Sequence, residues 1–263
     1  MSLGRSGMRR LCPVLLLVPF ALAIAHAHPY HDRSRDGRSD AARLAGCPPQ
    51  GDARWPPARA LNVLKRRMSS PSPRDIDPRV TLAALLAPGT DAHRWSERRA
   101  ATVIGYVAAV RAGGVESVNC YTHDPLYRDT HIELTLAPGY APPRRRLIVE
   151  VTPQWRERMA RKRTDWRTCT LRRRLLGRRV RITGWLLFDA EHARNSAHTA
   201  GDSAARIWRA TAWEIHPVTA IDILGGRRPR ARSGPPAPAP ISRRAPTRAG
   251  RRDARRRAAH RRR

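Results

Sequence analysis

The chain has 263 residues, with 52 Lys+Arg against 21 Asp+Glu and a formal net charge of +31, and all but two of the basic residues are arginine. At 41% hydrophobic residues it holds enough apolar material for one core, which excludes a wholly disordered chain. Four cysteines without a C-x-x-C pair exclude a zinc ribbon, a thioredoxin-type site and a dense disulfide scaffold.

Residues 1–27 have the form of a signal peptide. Arg5, Arg9 and Arg10 give a basic start, residues 11–24 are apolar, and Ala25 and Ala27 are small residues at the two positions a signal peptidase reads. The protein is therefore expected to be exported, to the periplasm or beyond. An exported protein does not normally meet chromosomal DNA, so nucleic acid is not expected as its partner in the cell. The match to a lipoprotein box at Leu44, Ala45, Gly46 and Cys47 follows a polar segment instead of an apolar run and is read as accidental. Residues 28–50 are polar and expected to lack structure. Signal removal leaves Cys47, Cys120 and Cys169, which allow one disulfide and one thiol without choosing the pair. No later segment is long enough to cross a bilayer.

Residues 51–97 read as a helical extension. A turn or two of helix is expected over residues 60–67. A short amphipathic helix follows over residues 75–86, with Val80, Leu82, Leu85 and Leu86 as its apolar positions and Pro88 and Gly89 as a stop. From there the period changes to two. Strands are expected over residues 103–110, 129–136, 147–151, 180–188 and 208–223, the last bent at Pro217, with one helix over residues 154–176. In the second strand Thr130, Ile132, Leu134 and Leu136 share one face and Asp129, His131, Glu133 and Thr135 the other.

Three strands, a helix and two strands is the order of a five-stranded Greek-key barrel of the OB-fold type, assigned to residues 98–224. Gly105 and Gly184 fit, since a tightly closed barrel needs positions without side chains where strands bend. The phrases DTHIEL from Asp129, GWLLFDAEH from Gly184 and WEIHP from Trp213 resemble a family of uncharacterised exported bacterial proteins. That resemblance implies fold and location and carries no activity.

Ligands of such barrels lie between the loops joining strands 1–2 and 4–5, here residues 113–128 and 189–207. Strands 2 and 3 must pair antiparallel with their apolar faces together, so opposed residues have numbers of odd sum, and His131 falls opposite Glu150. Asp129 lies one step along, and Asp189 and His192 open the strand 4–5 loop at the same end. Asp129, His131, Glu150, Asp189 and His192 are therefore the candidate ligand-binding residues. Two imidazoles among carboxylates could hold a divalent metal, or could serve as an acid–base pair with His131, Glu150 and His192 as catalytic candidates. Glu214 and His216 are excluded from this set. At about 3.3 Å per residue, an extended strand beginning at Trp208 carries His216 to the opposite end of the barrel, where a buried pairing with an arginine is expected. Of Trp185, Trp208 and Trp213, at least two are expected in the core.

Asp129 and Thr130, Arg145, and Glu150 followed by Thr152 and Pro153 also resemble the thermonuclease family, another exported OB-fold. That resemblance implies Asp129 and Glu150 as metal ligands and Arg145 as a phosphate contact. Gln154 stands where the family carries a catalytic glutamate, which argues against nuclease chemistry. Residues 225–263, with fifteen arginines and the single acid Asp253, read as a disordered basic tail. The expected function is an exported binding module that takes an anionic ligand or envelope partner through its two long loops. The alternatives are a metal-dependent hydrolase or nuclease at the same end, and a structural envelope accessory.

Overall fold

Strands with one apolar face must bury that face and must also satisfy the donors and acceptors along their edges. Closing the sheet on itself meets both demands. The computed structural model describes residues 39–200 and 206–225. Among these, β1 (Ala100–Ala112), β2 (Thr130–Thr135), β3 (Leu147–Val151), β4 (Arg179–Phe188) and β5 (Trp213–Leu224) form a closed barrel in the order β1-β2-β3-β5-β4. Neighbouring strands are antiparallel except β3 and β5, which run parallel through Val149 and Ile215. This is the OB-fold-like barrel that the strand order predicted.

The apolar faces point inward as the alternation required. Val103, Val107, Ile132, Leu134, Leu147, Val149, Ile182, Leu186, Ile215 and Val218 are all buried in one cluster. Truncating one of these leucines or isoleucines to alanine costs roughly 2–5 kcal/mol, depending on how far the barrel can relax around the cavity. Gly184 is required by contact. A Cβ there would overlap the Pro217 carbonyl oxygen and the Ile215 side chain, at the place where the β4–β5 register shifts around Pro217. At Gly105 a Cβ would collide with Leu82.

Several expectations are corrected. The single helix over residues 154–176 is two helices, Pro153–Arg161 and Thr168–Leu175. Thr152 caps the first by accepting a hydrogen bond from the Trp155 N–H, and the chain reverses through Arg163 at φ 59°. Asp165 then accepts the Arg167 N–H at 2.9 Å and the Thr170 hydroxyl at 2.8 Å, organising the start of the second. Trp155, Trp166, Leu171 and Leu175 from this segment join the core. The helix expected over residues 75–86 is only Leu82–Leu86, because Thr81 caps it and Ile76 instead bridges to Ala100.

Residues 40–50 are not structureless. Asp40–Ala45 is helical, and Cys47 is joined to Cys120 in a disulfide, leaving Cys169 free and exposed. The Asp40 carboxylate accepts the backbone N–H groups of His123 and Asp124, and Arg66 donates to the Cys47 carbonyl at 3.0 Å. A covalent link and polar contacts order this segment in place of apolar packing. Within residues 51–97, Pro56–Lys65 and Leu82–Leu86 are helical, the first covering most of the turn or two of helix expected over residues 60–67. The signal-peptide reading, residues 28–38 and the tail beyond Gly225 lie outside the described residues. No helix among the described residues is long and apolar enough to cross a membrane.

Candidate functional site

β5 begins at Trp213, five residues later than expected, and this determines the site. Asp91, in the segment before β1, is buried. Its carboxylate accepts the Ala212 N–H at 2.8 Å and the Thr199 hydroxyl at 2.7 Å, and it also takes the Thr211 hydroxyl. Trp213 donates its indole N–H to the Asp91 carbonyl at 2.8 Å. These contacts fold residues 208–212 back across the barrel end instead of extending the strand. His216 therefore lies at the same end as Asp129 and Glu150, correcting its exclusion.

Register places the first pair. β2 and β3 oppose His131 and Glu150 directly, as the odd-sum rule required, and His131 Nδ1 lies 3.0 Å from Glu150 Oε1. These residues are on the outward face of the barrel, yet they are buried, because loops and the N-terminal extension cover them. Asp129 precedes β2 and accepts a hydrogen bond from Asn119 Nδ2 at 3.1 Å through Oδ1. Its other oxygen, Oδ2, stands 3.5 Å from His216 Nε2, and neither atom makes a hydrogen bond among the described residues.

From His216 a chain of charges runs to the β4–β5 loop. Glu214 Oε1 lies 3.1 Å from His216 Nδ1, and its Oε2 accepts Arg209 Nη2 at 2.6 Å. Arg209 Nη1 donates to Asp189 Oδ2 at 2.8 Å, and the same oxygen lies 2.7 Å from His192 Nδ1. The expected pairing of Glu214 with an arginine is present, but inside the site. Lys65, at the end of the Pro56–Lys65 helix, donates to Glu116 at 3.1 Å and Glu191 at 3.4 Å. Trp208 packs between the imidazoles, its ring centroid 5.7 Å from that of His131 and 5.4 Å from that of His192. Only Trp213 of the three tryptophans assigned to strands is in the core. Trp185 is half-buried, with its indole donating to the Ser69 carbonyl, and Trp208 forms a wall of the site.

A cavity of about 220 Å³ opens here, lined among others by Lys65, Glu116, His131, Glu150, Asp189, His192, Trp208 and Glu214. Its electrostatics divide the carboxylates. Burial, opposed by His216 but reinforced by Glu150 and Glu116, raises the Asp129 carboxyl to about 6. Burial acts on Glu150 too, yet the His131 hydrogen bond and the charges of His131, His216 and Lys65 bring it well below the usual carboxylate range. His216 is pushed up to about 9, since Glu214, Glu150 and Asp129 together outweigh its burial. Burial likewise opposes charging of His192, but Asp189 lifts it to about 9.

The structure thus brings together Asp129, His131, Glu150, Asp189 and His192 and adds Lys65, Glu116, Arg209, Glu214 and His216. Arg145 does not belong. It lies exposed on the one-turn helix Pro143–Arg145, at the hairpin end beyond Leu134 and Leu147, whereas Asp129 is at the other end of the same ladder. The phosphate contact implied for it therefore falls away. Asp189 and His192 are engaged with each other and with Arg209, while Asp129, Glu150 and His216 each bring a donor atom within 4.8 Å of the other two. One signal for the missed residues was in the sequence: Lys65 is one of only two lysines among 52 basic residues. No family model matches the chain, and no curated protein matches it.

Proposed function

We propose that the protein is an exported OB-fold-like barrel whose loop-capped end binds a cation. The observation that carries this reading is the concentration of Glu150, Asp189 and Glu214, all buried, around one cavity, with the buried Asp129 within 4.8 Å of Glu150, in a chain of net charge +31. Burying carboxylates is costly unless positive charge compensates them. Arg209, Lys65 and two histidines supply part of that charge, and the raised Asp129 carboxyl, buried beside Glu150 and Glu116, supports a place there for further positive charge. Among the described residues lining the cavity, Glu116, Glu150, Asp189 and Glu214 stand beside Lys65 and Arg111, a balance that favours a cation over the anionic ligand expected from bulk charge. Export is supported by the basic and apolar N-terminus, by the resemblance to exported bacterial proteins, and by the Cys47–Cys120 disulfide, which suits an oxidising compartment.

Thermal unfolding of the full chain with Mg²⁺, Mn²⁺, Zn²⁺ and methylguanidinium, at constant ionic strength, tests the reading. A cation present at a hundred times its dissociation constant should stabilise the fold by about 2.7 kcal/mol. Stabilisation by heparin alone, with none of the four cations effective, would contradict it.

A second reading rests on a separate observation. His131 and His192 line the same cavity on either side of Trp208, each with Nδ1 against a carboxylate. Such dyads suit general acid–base hydrolysis. Turnover of a chromogenic ester or phosphodiester that disappears in His192→Ala would favour it, and turnover unchanged by that substitution would remove it.

A further inference from the structure

We infer that Asp129, Glu150 and His216 are the ligands of a divalent transition-metal ion, with Glu214 holding the imidazole in the ligating orientation. The inference rests on the reading that this end of the barrel takes up positive charge, and it narrows that charge to one ion on three residues.

The separation of Asp129 Oδ2 and His216 Nε2 is the starting point. A buried carboxylate–imidazolium pair ordinarily closes to about 2.7–2.9 Å. These two atoms stand at 3.5 Å, are buried, and make no hydrogen bond among the described residues. Two ligands on one tetrahedral zinc, each about 2.0–2.1 Å from the metal, lie roughly 3.3 Å apart. The observed gap is close to that edge length. One donor atom from each of Asp129, Glu150 and His216 lies within 4.8 Å of the other two, and Glu150 Oε2, which stands 3.7 Å from His216 Nδ1, must turn toward the Nε2 side to complete the face.

The surroundings match what a metal-bound histidine requires. Glu214 Oε1 sits 3.1 Å from His216 Nδ1, so an ion that displaces the Nε2 proton meets a ring whose remaining N–H is held by Glu214 and whose Nε2 lone pair faces Asp129. A carboxylate behind the imidazole in this way fixes tautomer and ring orientation. Glu214 is itself held by Arg209 at 2.6 Å, and Glu150 by His131 at 3.0 Å. Every ligand therefore has a supporting contact: Asn119 on Asp129, His131 on Glu150, and Glu214 on His216. Glu150 also lines the cavity of about 220 Å³, which provides an entry path and room for water as a further ligand. One imidazole with two carboxylates suits Zn²⁺ or Mn²⁺ better than Mg²⁺ or Ca²⁺, which prefer all-oxygen shells.

Equilibrium dialysis of the chelator-treated full chain against Zn²⁺, Mn²⁺ and Mg²⁺, with metal analysis, tests the site. One Zn²⁺ or Mn²⁺ per chain is expected at the site, with affinity falling at least a hundredfold in His216→Ala and in Asp129→Asn, and roughly 10–100-fold in Glu214→Gln. Because His26, His28 and His31 and the Cys169 thiol could hold metal on their own, binding undiminished in both His216→Ala and Asp129→Asn overturns the proposal. If those variants do not fold, Co²⁺ bound to the wild-type chain decides. Absorption and X-ray ligand counts showing one imidazole and oxygen ligands support the site, while thiolate or several imidazoles refute it. Methylguanidinium binding without any metal binding would overturn this site and leave the cation pocket standing, and binding of neither would overturn both.

Discussion

The two ends of the barrel differ in sign and in burial. At the hairpin end, Leu136 is 56% and Tyr140 87% exposed, and with Arg144 and Arg145 they line an open depression of about 690 Å³. At the loop end, the cavity of about 220 Å³ is walled by carboxylates, of which Glu150, Asp189 and Glu214 are buried. The larger cavity is the less organised of the two: its arginines face solvent, where charge pairs contribute little, whereas each carboxylate at the loop end is fixed by named partners. Net charge describes where arginine is tolerated. The few acids of the chain, gathered and buried, mark where chemistry is concentrated.

The largest effect should come from removing the central cation of the acidic end. Arg209→Met leaves Asp189 and Glu214 buried without their guanidinium, and a loss of about 3–5 kcal/mol in denaturant unfolding is expected. A loss below 1 kcal/mol would mean that the acidic end is wetter than described. Opening the Cys47–Cys120 link, which spans 73 residues, should cost about 2–4 kcal/mol when Cys47→Ser/Cys120→Ser is compared with the oxidised wild type.

Asp91→Ala should cost about 2–3 kcal/mol, because it strands the Thr211 hydroxyl and the Ala212 N–H, and it should also abolish cation binding by releasing residues 208–212. Hydrogen exchange confined to the Asp189–Trp213 region would report that release. If binding survives while exchange there rises, the loop is not what assembles the site.

A smaller effect concerns pH. The folded His192 titrates near 9, above its ordinary value of 6.5, so its contribution is fully present below about 6.5 and is lost as pH rises through 9. With its side chain 34% exposed, solvent screening limits this to about 1 kcal/mol. His192→Gln should therefore flatten the stability profile between pH 6.5 and about 9.5, and a profile as steep as the wild type's would remove His192 from the charge chain. The smallest effect lies at the other end: Arg145→Ala should change stability by less than about 0.5 kcal/mol and leave cation binding untouched.

The sequence exposed what depends on period and parity. Alternation in DTHIEL placed His131 opposite Glu150, because a one-residue slip would have turned the apolar face outward. It did not reveal where β5 begins, since Trp208 continues the apolar pattern and only the buried Asp91 carboxylate, far away in sequence, pulls residues 208–212 out of the strand. That one boundary moved Glu214 and His216 from the wrong end into the site. Arg145 entered through resemblance, without a register to check it, and the hairpin carries it away. The order of residues 40–50 comes from a disulfide and from the Asp40 and Arg66 side chains, none of which leaves a periodic trace in the sequence. Lys65 is conspicuous only by its rarity, as its helix is short and its partners Glu116 and Glu191 lie in two separate loops that no periodicity connects to it.

The most direct test of the acidic end is the unfolding midpoint of chelator-treated full chain with and without Zn²⁺, measured side by side for the wild type and for Asp129→Asn. A rise in the wild type that is lost in Asp129→Asn is the predicted result. Equal midpoints with and without Zn²⁺ in the wild type, or an equal rise in both chains, would contradict the placement of a cation between Asp129, Glu150 and His216.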